Sequence, residues 1–238
     1  MIEEYTLKKL CEKYNVNSEK ILNKNNNILT NGEYIEIDRT LNYLINELKI
    51  SPNNIEKCPS ILYRNVFAIK DNIIFLKKTN IHFSSIESCL HVLSTESSEL
   101  EKTYEYVVNN YGSRVINRIT SILSVNEDII KDVENLNLPI SKKGNLYIAV
   151  AIDRKITSLE EVQKITQSEE FKKYPHLFTS TTLAHSKIKD IQEIIQSEEF
   201  KEHPELFTSQ TLAHAKIKDI REMIQSEEFK KFPELFTS

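Results

Sequence analysis

Gln167-Ser-Glu-Glu-Phe-Lys-Lys-Tyr-Pro-His-Leu-Phe-Thr-Ser180 returns almost unchanged as Gln196-Ser-Glu-Glu-Phe-Lys-Glu-His-Pro-Glu-Leu-Phe-Thr-Ser209, and again as Gln225-Ser-Glu-Glu-Phe-Lys-Lys-Phe-Pro-Glu-Leu-Phe-Thr-Ser238. Each copy begins 29 residues after the one before. The linkers repeat as well: Thr181-Thr-Leu-Ala-His-Ser-Lys-Ile-Lys-Asp-Ile-Gln-Glu-Ile-Ile195 matches Gln210-Thr-Leu-Ala-His-Ala-Lys-Ile-Lys-Asp-Ile-Arg-Glu-Met-Ile224. A unit this short cannot bury its own apolar face, so the fixed period predicts stacked supersecondary modules that share a core with their neighbours. Within a module, Ile188, Ile191, Ile194 and Ile195 recur at helical spacing, as do Ile217, Ile220, Met223 and Ile224. Pro175, Pro204 and Pro233 disfavour helical geometry in the residue before them and so mark a corner. The Leu-Phe pair after each proline is expected to plug the groove between modules. Thr179-Ser180 and Thr208-Ser209 are placed to cap the next short helix. Periodicity leaves open whether Ser-Glu-Glu-Phe continues the preceding helix or starts a new turn.

Toward the N-terminus the same frame persists in blurred form. Ile55-Glu-Lys-Cys-Pro-Ser-Ile-Leu62 aligns with Ile86-Glu-Ser-Cys-Leu-His-Val-Leu93 at an offset of 31, and Ile116 to Ser124 follows Ile86 to Ser94 by 30. Leu146-Tyr-Ile148 aligns with the Pro175-His-Leu177 corner at 29, as do Leu159, Val162 and Ile165 with Ile188, Ile191 and Ile194. Corners are therefore expected near positions 59, 90, 120, 146, 175, 204 and 233. Ser51-Pro52 reads as a helix start, with Ser as cap and Pro at the first helical position. Before it, Ile2, Tyr5, Leu10, Cys11 and Tyr14 are spaced for one helix face, and Ser18 is placed to cap the next turn. Asn25-Asn-Asn27 and Asn31-Gly32 read as turns, and Tyr34-Ile-Glu-Ile37 as loop. Asp38 reads as the cap of a helix carrying Leu41, Leu44, Ile45 and Leu48. The predicted fold is all-α, a curved α-solenoid of helical repeats with a period of about 29–31 residues. Residues 1–50 form N-terminal helices and a capping unit, 51–156 degenerate repeats, and 157–238 near-identical repeats, all in one continuous array.

Composition narrows the function classes. Lys and Arg number 31 against 35 Asp and Glu, a net charge of −4, which lacks the overall basic bias of many nucleic-acid binders. Three cysteines, Cys11, Cys58 and Cys89, are too few and odd in number for a disulfide framework, which points to a reducing compartment. No apolar run approaches the roughly 18 residues of a membrane span, and the N-terminus carries no targeting pattern. A cytoplasmic protein without membrane partners is expected. The sequence stops at Ser238 directly after a corner. Solenoids need a polar cap, so either truncation or end-to-end self-association through the uncapped C-terminus is expected.

Leu48-Lys-Ile-Ser-Pro-Asn-Asn-Ile-Glu-Lys-Cys-Pro-Ser-Ile-Leu62, followed by Ile73-Ile-Phe-Leu-Lys-Lys-Thr-Asn-Ile81, resembles the mitochondrial transcription termination factor family. Pro59-Ser-Ile-Leu62 stands at that family's Pro-x-Leu-Leu corner. Phe75-Leu76 and Asn80-Ile81 stand at its helix end and Gly-Ile-like turn. The match is strongest over 48–123, and a period near 30 extends it over residues 25–238. The resemblance implies a curved solenoid whose concave side holds nucleic acid, double-stranded DNA or structured RNA, as in transcription or RNA assembly. No base-contacting position carries over.

One pattern fits that chemistry independently. Lys143, Lys172, Lys201 and Lys230 recur at steps of 29, with Lys173 and Lys231 beside them, and a stacked row of ammonium groups suits a phosphate backbone. Glu169-Glu170, Glu198-Glu199 and Glu227-Glu228 precede the last three rungs and oppose their field, so a solvated charged face explains the same residues. Arg114 and Arg118, four apart without an acid on their face, are a second phosphate candidate against an exposed helix face. Lys189 with Glu193, and Lys218 with Glu222, read as outward surface pairs beside Lys187 and Lys216. His185 and His214 are repeat equivalents with no metal-ligand spacing around them, and Cys58 and Cys89 read as core. No phosphate loop, nucleophile–base set or cofactor motif is present, so no catalytic residue, cofactor or enzyme activity is expected. The expected function is a nucleic-acid-binding module, and the alternative is a protein-binding solenoid suggested by acidity and mixed-sign faces.

Overall fold

The computed structural model describes residues 7–22, 31–207 and 222–231; among these residues the regular structure is helical and no strand occurs. Two compact units divide the chain, Met1–Ser124 and Val125–Ser238. The division falls inside the 51–156 stretch that the sequence reads as one block.

The first unit opens with α1 (Leu7–Lys13), α2 (Ser18–Leu22) and α3 (Asn31–Asn42). Leu10, Cys11 and Tyr14 are buried on one face, as their spacing predicts, with Leu7 buried beside them, while Ile2 and Tyr5 lie outside the described residues. Three local expectations are corrected here. Asn17, not Ser18, caps α2, its Oδ1 accepting from the Glu19 amide at 3.0 Å. Asn31-Gly32 and Tyr34–Ile37 are helix rather than turn and loop, and Asp38 lies inside that helix rather than at its start. Ile37, Thr40, Leu41 and Leu44 form a buried stripe at helical spacing, and burial of that stripe outweighs the poor helix propensity of the flanking Asn and Gly. After Asn42 the helix widens into a π-turn, Tyr43–Glu47, which leaves Ile45 and Leu48 only half-buried.

From here the blurred repeat becomes physical. α4 (Pro52–Lys57) has Pro52 at its first position and Ser51 as cap, the hydroxyl accepting from the Asn54 amide at 3.4 Å. A 3-10 corner, Pro59–Tyr63, leads to α5 (Val66–Lys78), capped by Asn65. α6 (Phe83–Glu87), α7 (His91–Ser94) and α8 (Ser97–Tyr111) repeat that order. Short 3-10 turns at Ser113–Val115 and Thr120–Ser124 begin it once more. Four equivalent positions fill the core in each round: Ile55, Cys58, Ile61 and Leu62; then Ile86, Cys89, Val92 and Leu93; then Ile116, Ile119, Ile122 and Leu123. α5 and α8 each end near a residue in the left-handed region, Asn80 at φ 58° and Gly112 at φ 82°, where Asn and Gly are the residues that pay little steric penalty. Buried Asn72 joins α5 to the start of α8. Its amide donates to Thr95 O at 2.8 Å and its Oδ1 accepts from Ser97 Oγ at 2.8 Å.

The second unit contains α9 (Glu127–Asn135), α10 (Lys142–Asp153), α11 (Leu159–Gln167) and α12 (Glu169–Lys173). α13 (Ser180–His185), α14 (Ile188–Gln196), α15 (Glu198–Glu202) and α16 (Glu227–Lys231) follow. α11 and α14 are the same nine-residue helix, with Val162, Ile165, Ile191 and Ile194 buried. Ser-Glu-Glu-Phe starts a new turn. Ser168 and Ser197 are extended, and each hydroxyl donates back to Ile165 O or Ile194 O while accepting from the Phe171 or Phe200 amide at 3.2 Å. The prolines act as expected: Tyr174 (φ −127°, ψ 51°) and His203 (φ −134°, ψ 57°) leave the helical region, and Cys58 before Pro59 does the same. Leu177, Phe178, Leu206 and Phe207 behind the corners are buried.

Two expectations fail in this unit. Thr179 stands at the cap position of α13 without a side-chain bond; Thr182 instead donates to Leu177 O at 3.1 Å. The corner near 146 does not exist, because Leu146–Ile148 lie inside α10. No proline interrupts that segment, and Leu146, Ile148, Ala149 and Val150 are all buried along it. The approach of α10 to α13 is close at Gly144, where a Cβ would stand 3.2 Å from Ser180 Cβ, and also 2.9 Å from Cδ1 of Ile140 in the segment before α10. Among the described residues no helix is long and apolar enough to cross a membrane. Asn25–Asn27, Thr208-Ser209, His214, Lys216, Ile217, Lys218, Ile220, Pro233 and the terminal Ser238 lie outside the described residues.

Candidate functional site

The lysine row is built on a recurring five-residue turn. α12, α15 and α16 each begin Glu-Glu-Phe-Lys after a serine cap, so the lysine comes one turn after the first glutamate. Their ammonium and carboxylate groups meet in every copy: Lys172 with Glu169 at 2.6 Å, Lys201 with Glu198 at 2.6 Å, and Lys230 with Glu227 at 3.1 Å. Each rung thus carries its own counter-charge, and a phosphate would have to displace it. Lys173 Nζ lies 5.2 Å from the centre of its neighbour Tyr174's ring, and Lys231 is exposed. Lys143 is not a rung. It sits in the first turn of α10, with Nζ 5.9 Å from the Tyr147 ring centre, because the corner it was to precede is absent.

Arg114 and Arg118 do not share a helix face either. Gly112 ends α8, so Arg114 falls in the 3-10 turn Ser113–Val115 and Arg118 in the turn after it. Both are exposed, and neither forms an ion pair among the described residues. Lys189 and Glu193 are exposed on α14 and likewise form none. The charge of the chain is distributed unevenly. Met1–Ser124 holds 15 basic and 15 acidic residues, whereas Val125–Ser238 holds 16 basic against 20 acidic.

A concave surface appears instead beside the joint between two modules of the second unit. Phe171 packs on Phe178 at 5.0 Å between ring centres, and Phe200 on Phe207 at 5.1 Å, within successive modules. Across the joints Tyr174 meets Phe200 edge-on at 5.3 Å, and His203 meets Phe229 edge-on at 5.3 Å. An open groove of about 570 Å³ runs along the first joint, with Tyr174, Ile195, Phe200 and Pro204 giving apolar surface and Glu170 and Lys173 at its rim. Glu170 Oε2 accepts from Gln192 Nε2 at 3.5 Å. The groove offers apolar contact area beside both signs of charge. Its signal in the sequence, absent from the reading above, is the ring-bearing residue before each proline (Tyr174, His203, Phe232), which recurs every 29 residues.

Cys58 and Cys89 are core, as their repeat positions predict, and Cys11 is core on the buried face of α1. Cys11, Cys58 and Cys89 are reduced and buried. Burial, with smaller contributions from Glu12 and Glu56, pushes the Cys11 thiol up to about 11. Cys58 Sγ lies 3.3 Å from His91 Nδ1 and 3.5 Å from Ser60 Oγ. His185 is exposed at the end of α13. Among the described residues no group of three or more His, Cys, Asp or Glu is placed to hold a metal ion. No protein family, curated protein or solved structure matches the chain.

Proposed function

We propose that the protein is a non-enzymatic helical-repeat module, its repeats stacked as an α-solenoid, that binds another protein through the groove at the repeat joint. The observation that carries this reading is the pairing of Lys172, Lys201 and Lys230 with glutamates one turn earlier. A nucleic-acid surface gains affinity when unpaired cations neutralise phosphates and release their condensed counterions to solution; here the repeated cations are already matched, in a unit with excess acid. A peptide needs no such excess. It needs apolar contact and a few placed polar groups, which Tyr174, Ile195, Phe200, Glu170 and Lys173 supply. The resemblance to mitochondrial transcription termination factors favours nucleic acid, and that reading makes opposite demands on the same lysines.

The test is co-purification of the full-length tagged chain from cell extract with and without nuclease, repeated with Glu170→Lys/Lys173→Glu, which swaps the rim charges and preserves net charge. Partner proteins are expected to survive nuclease and to be lost in the swapped variant, with the thermal midpoint moved by no more than about 2 °C. Partners that disappear on nuclease treatment would overturn the proposal in favour of nucleic acid.

A further inference from the structure

We propose that the outward face of α5, in the first unit, is a docking strip for an acidic amphipathic helix of another protein. α5 buries Val66, Ile69, Ile73 and Leu76, yet it also leaves Phe67 68 % and Ile74 52 % exposed, with Tyr63 just before it 37 % exposed. Phe67 and Ile74 are seven residues apart and stand on one side of the helix, two turns from each other. This is not what the fold demands at these positions. One period of 31 later, α8 places Ser98 and Glu105 there, both exposed, beside exposed Glu101 and Lys102. α8 shows how such a helix is made soluble, and α5 departs from that pattern at two large apolar residues.

Charge decides the class of partner. Lys77 and Lys78 are exposed on α5 and form no ion pair among the described residues. Lys70, half-buried, has its Nζ 4.6 Å from the Tyr43 ring centre. Against these three cations the helix carries one acid, exposed Asp71. An apolar stripe edged by lysines fits apolar residues edged by carboxylates, as on an amphipathic helix laid along a surface. Asp71 lies between Phe67 and Ile74, four residues after the one and three before the other. A lipid hydrocarbon layer would have to cover that carboxylate at high cost, whereas a peptide can present a donor to it. The strip therefore suits an acidic helix with one donor near its centre better than an anionic membrane.

The inference goes beyond the groove reading and stands on different residues in the other unit, so either can fail alone. The probe is a fluorescein-labelled helical peptide of Leu and Glu about five turns long, with Leu along one face and one Lys at mid-length. Its counterpart has every Glu replaced by Lys. Fluorescence anisotropy with the full chain is expected to give a Kd below about 100 µM for the Glu peptide. Phe67→Ser/Ile74→Ser should weaken it at least tenfold. Lys77→Gln/Lys78→Gln should weaken it and flatten its salt dependence, while Glu170→Lys/Lys173→Glu should leave it unchanged. Absence of binding, equal binding of the Lys peptide, or indifference to Phe67→Ser/Ile74→Ser overturns the proposal. Binding to phosphatidylcholine–phosphatidylserine vesicles that Phe67→Ser/Ile74→Ser abolishes also overturns it, and makes the strip a membrane contact.

Discussion

Ser197 holds two backbone groups at once, donating to Ile194 O at 2.7 Å and accepting from the Phe200 amide at 3.2 Å, and Ser168 does the same one module earlier. Alanine at either position loses a helix cap, so Ser168→Ala and Ser197→Ala should each cost about 1 kcal/mol. Because they cap separate turns, the double variant should approach the sum. The shift of the urea midpoint reads this directly. Gly144→Ala brings a new Cβ against Ile140 and Ser180, an overpacking cost of about 1–3 kcal/mol set against about 1 kcal/mol of gained helix propensity, so the midpoint should stay level or fall; a midpoint raised by the whole propensity gain would show that α10 and α13 do not approach as described. The thiols offer a third check. With Cys11, Cys58 and Cys89 buried and the Cys11 thiolate disfavoured, a thiol-reactive dye at neutral pH should label almost nothing in the folded chain and all three cysteines in denaturant.

At the scale of elements, Glu56 joins α4 to the N-terminal end of α2. Its Oε2 accepts from Lys20 Nζ at 2.7 Å and its Oε1 from the Asn17 amide at 2.8 Å. The Lys20 hydrogen bond, and then the Asn17 amide, hold this carboxyl below its ordinary value. A lowered pKa means stability that is complete above the unfolded value and is lost as pH falls through the folded one. The protection of the Asn17 amide from exchange, taken relative to its intrinsic rate at each pH, should therefore fall on acidification below about pH 4. Glu56→Gln should remove that loss of protection, and an identical pH response in the variant would exclude Glu56 as its source.

Elements whose cause is local were legible in the sequence. Pro59, Pro175 and Pro204 force the preceding residue out of helix wherever they occur, and Ser51-Pro52 starts a helix on its own chemistry. Elements decided by burial were not. Tyr34–Ile37 carries turn-forming neighbours, and only the shared core of Ile37, Leu41 and Leu44 makes it helical. Leu146–Ile148 aligned with a corner but lacks the proline that makes one. For the lysine row the periodicity was readable and so were the opposing glutamates. Their meeting at 2.6–3.1 Å depended on Ser-Glu-Glu-Phe starting a fresh turn, which spacing alone left open.

For the molecule as a whole, the question is which class of partner the repeated surface selects. The same 29-residue duplication that multiplied lysines multiplied their glutamates, so copying the module adds no net positive charge along the row. The most direct measurement is titration of the full chain with duplex DNA and with structured RNA across a range of salt. The wild-type chain is expected to bind no tighter than about 10⁻⁴ M at physiological salt, with little salt dependence. Glu169→Gln/Glu198→Gln/Glu227→Gln, which releases three ammonium groups, should acquire binding with a log–log salt slope approaching about −3. Tight wild-type binding with a slope that steep, abolished by Lys172→Gln/Lys201→Gln/Lys230→Gln, would contradict the protein-binding reading and make the lysine row a nucleic-acid surface.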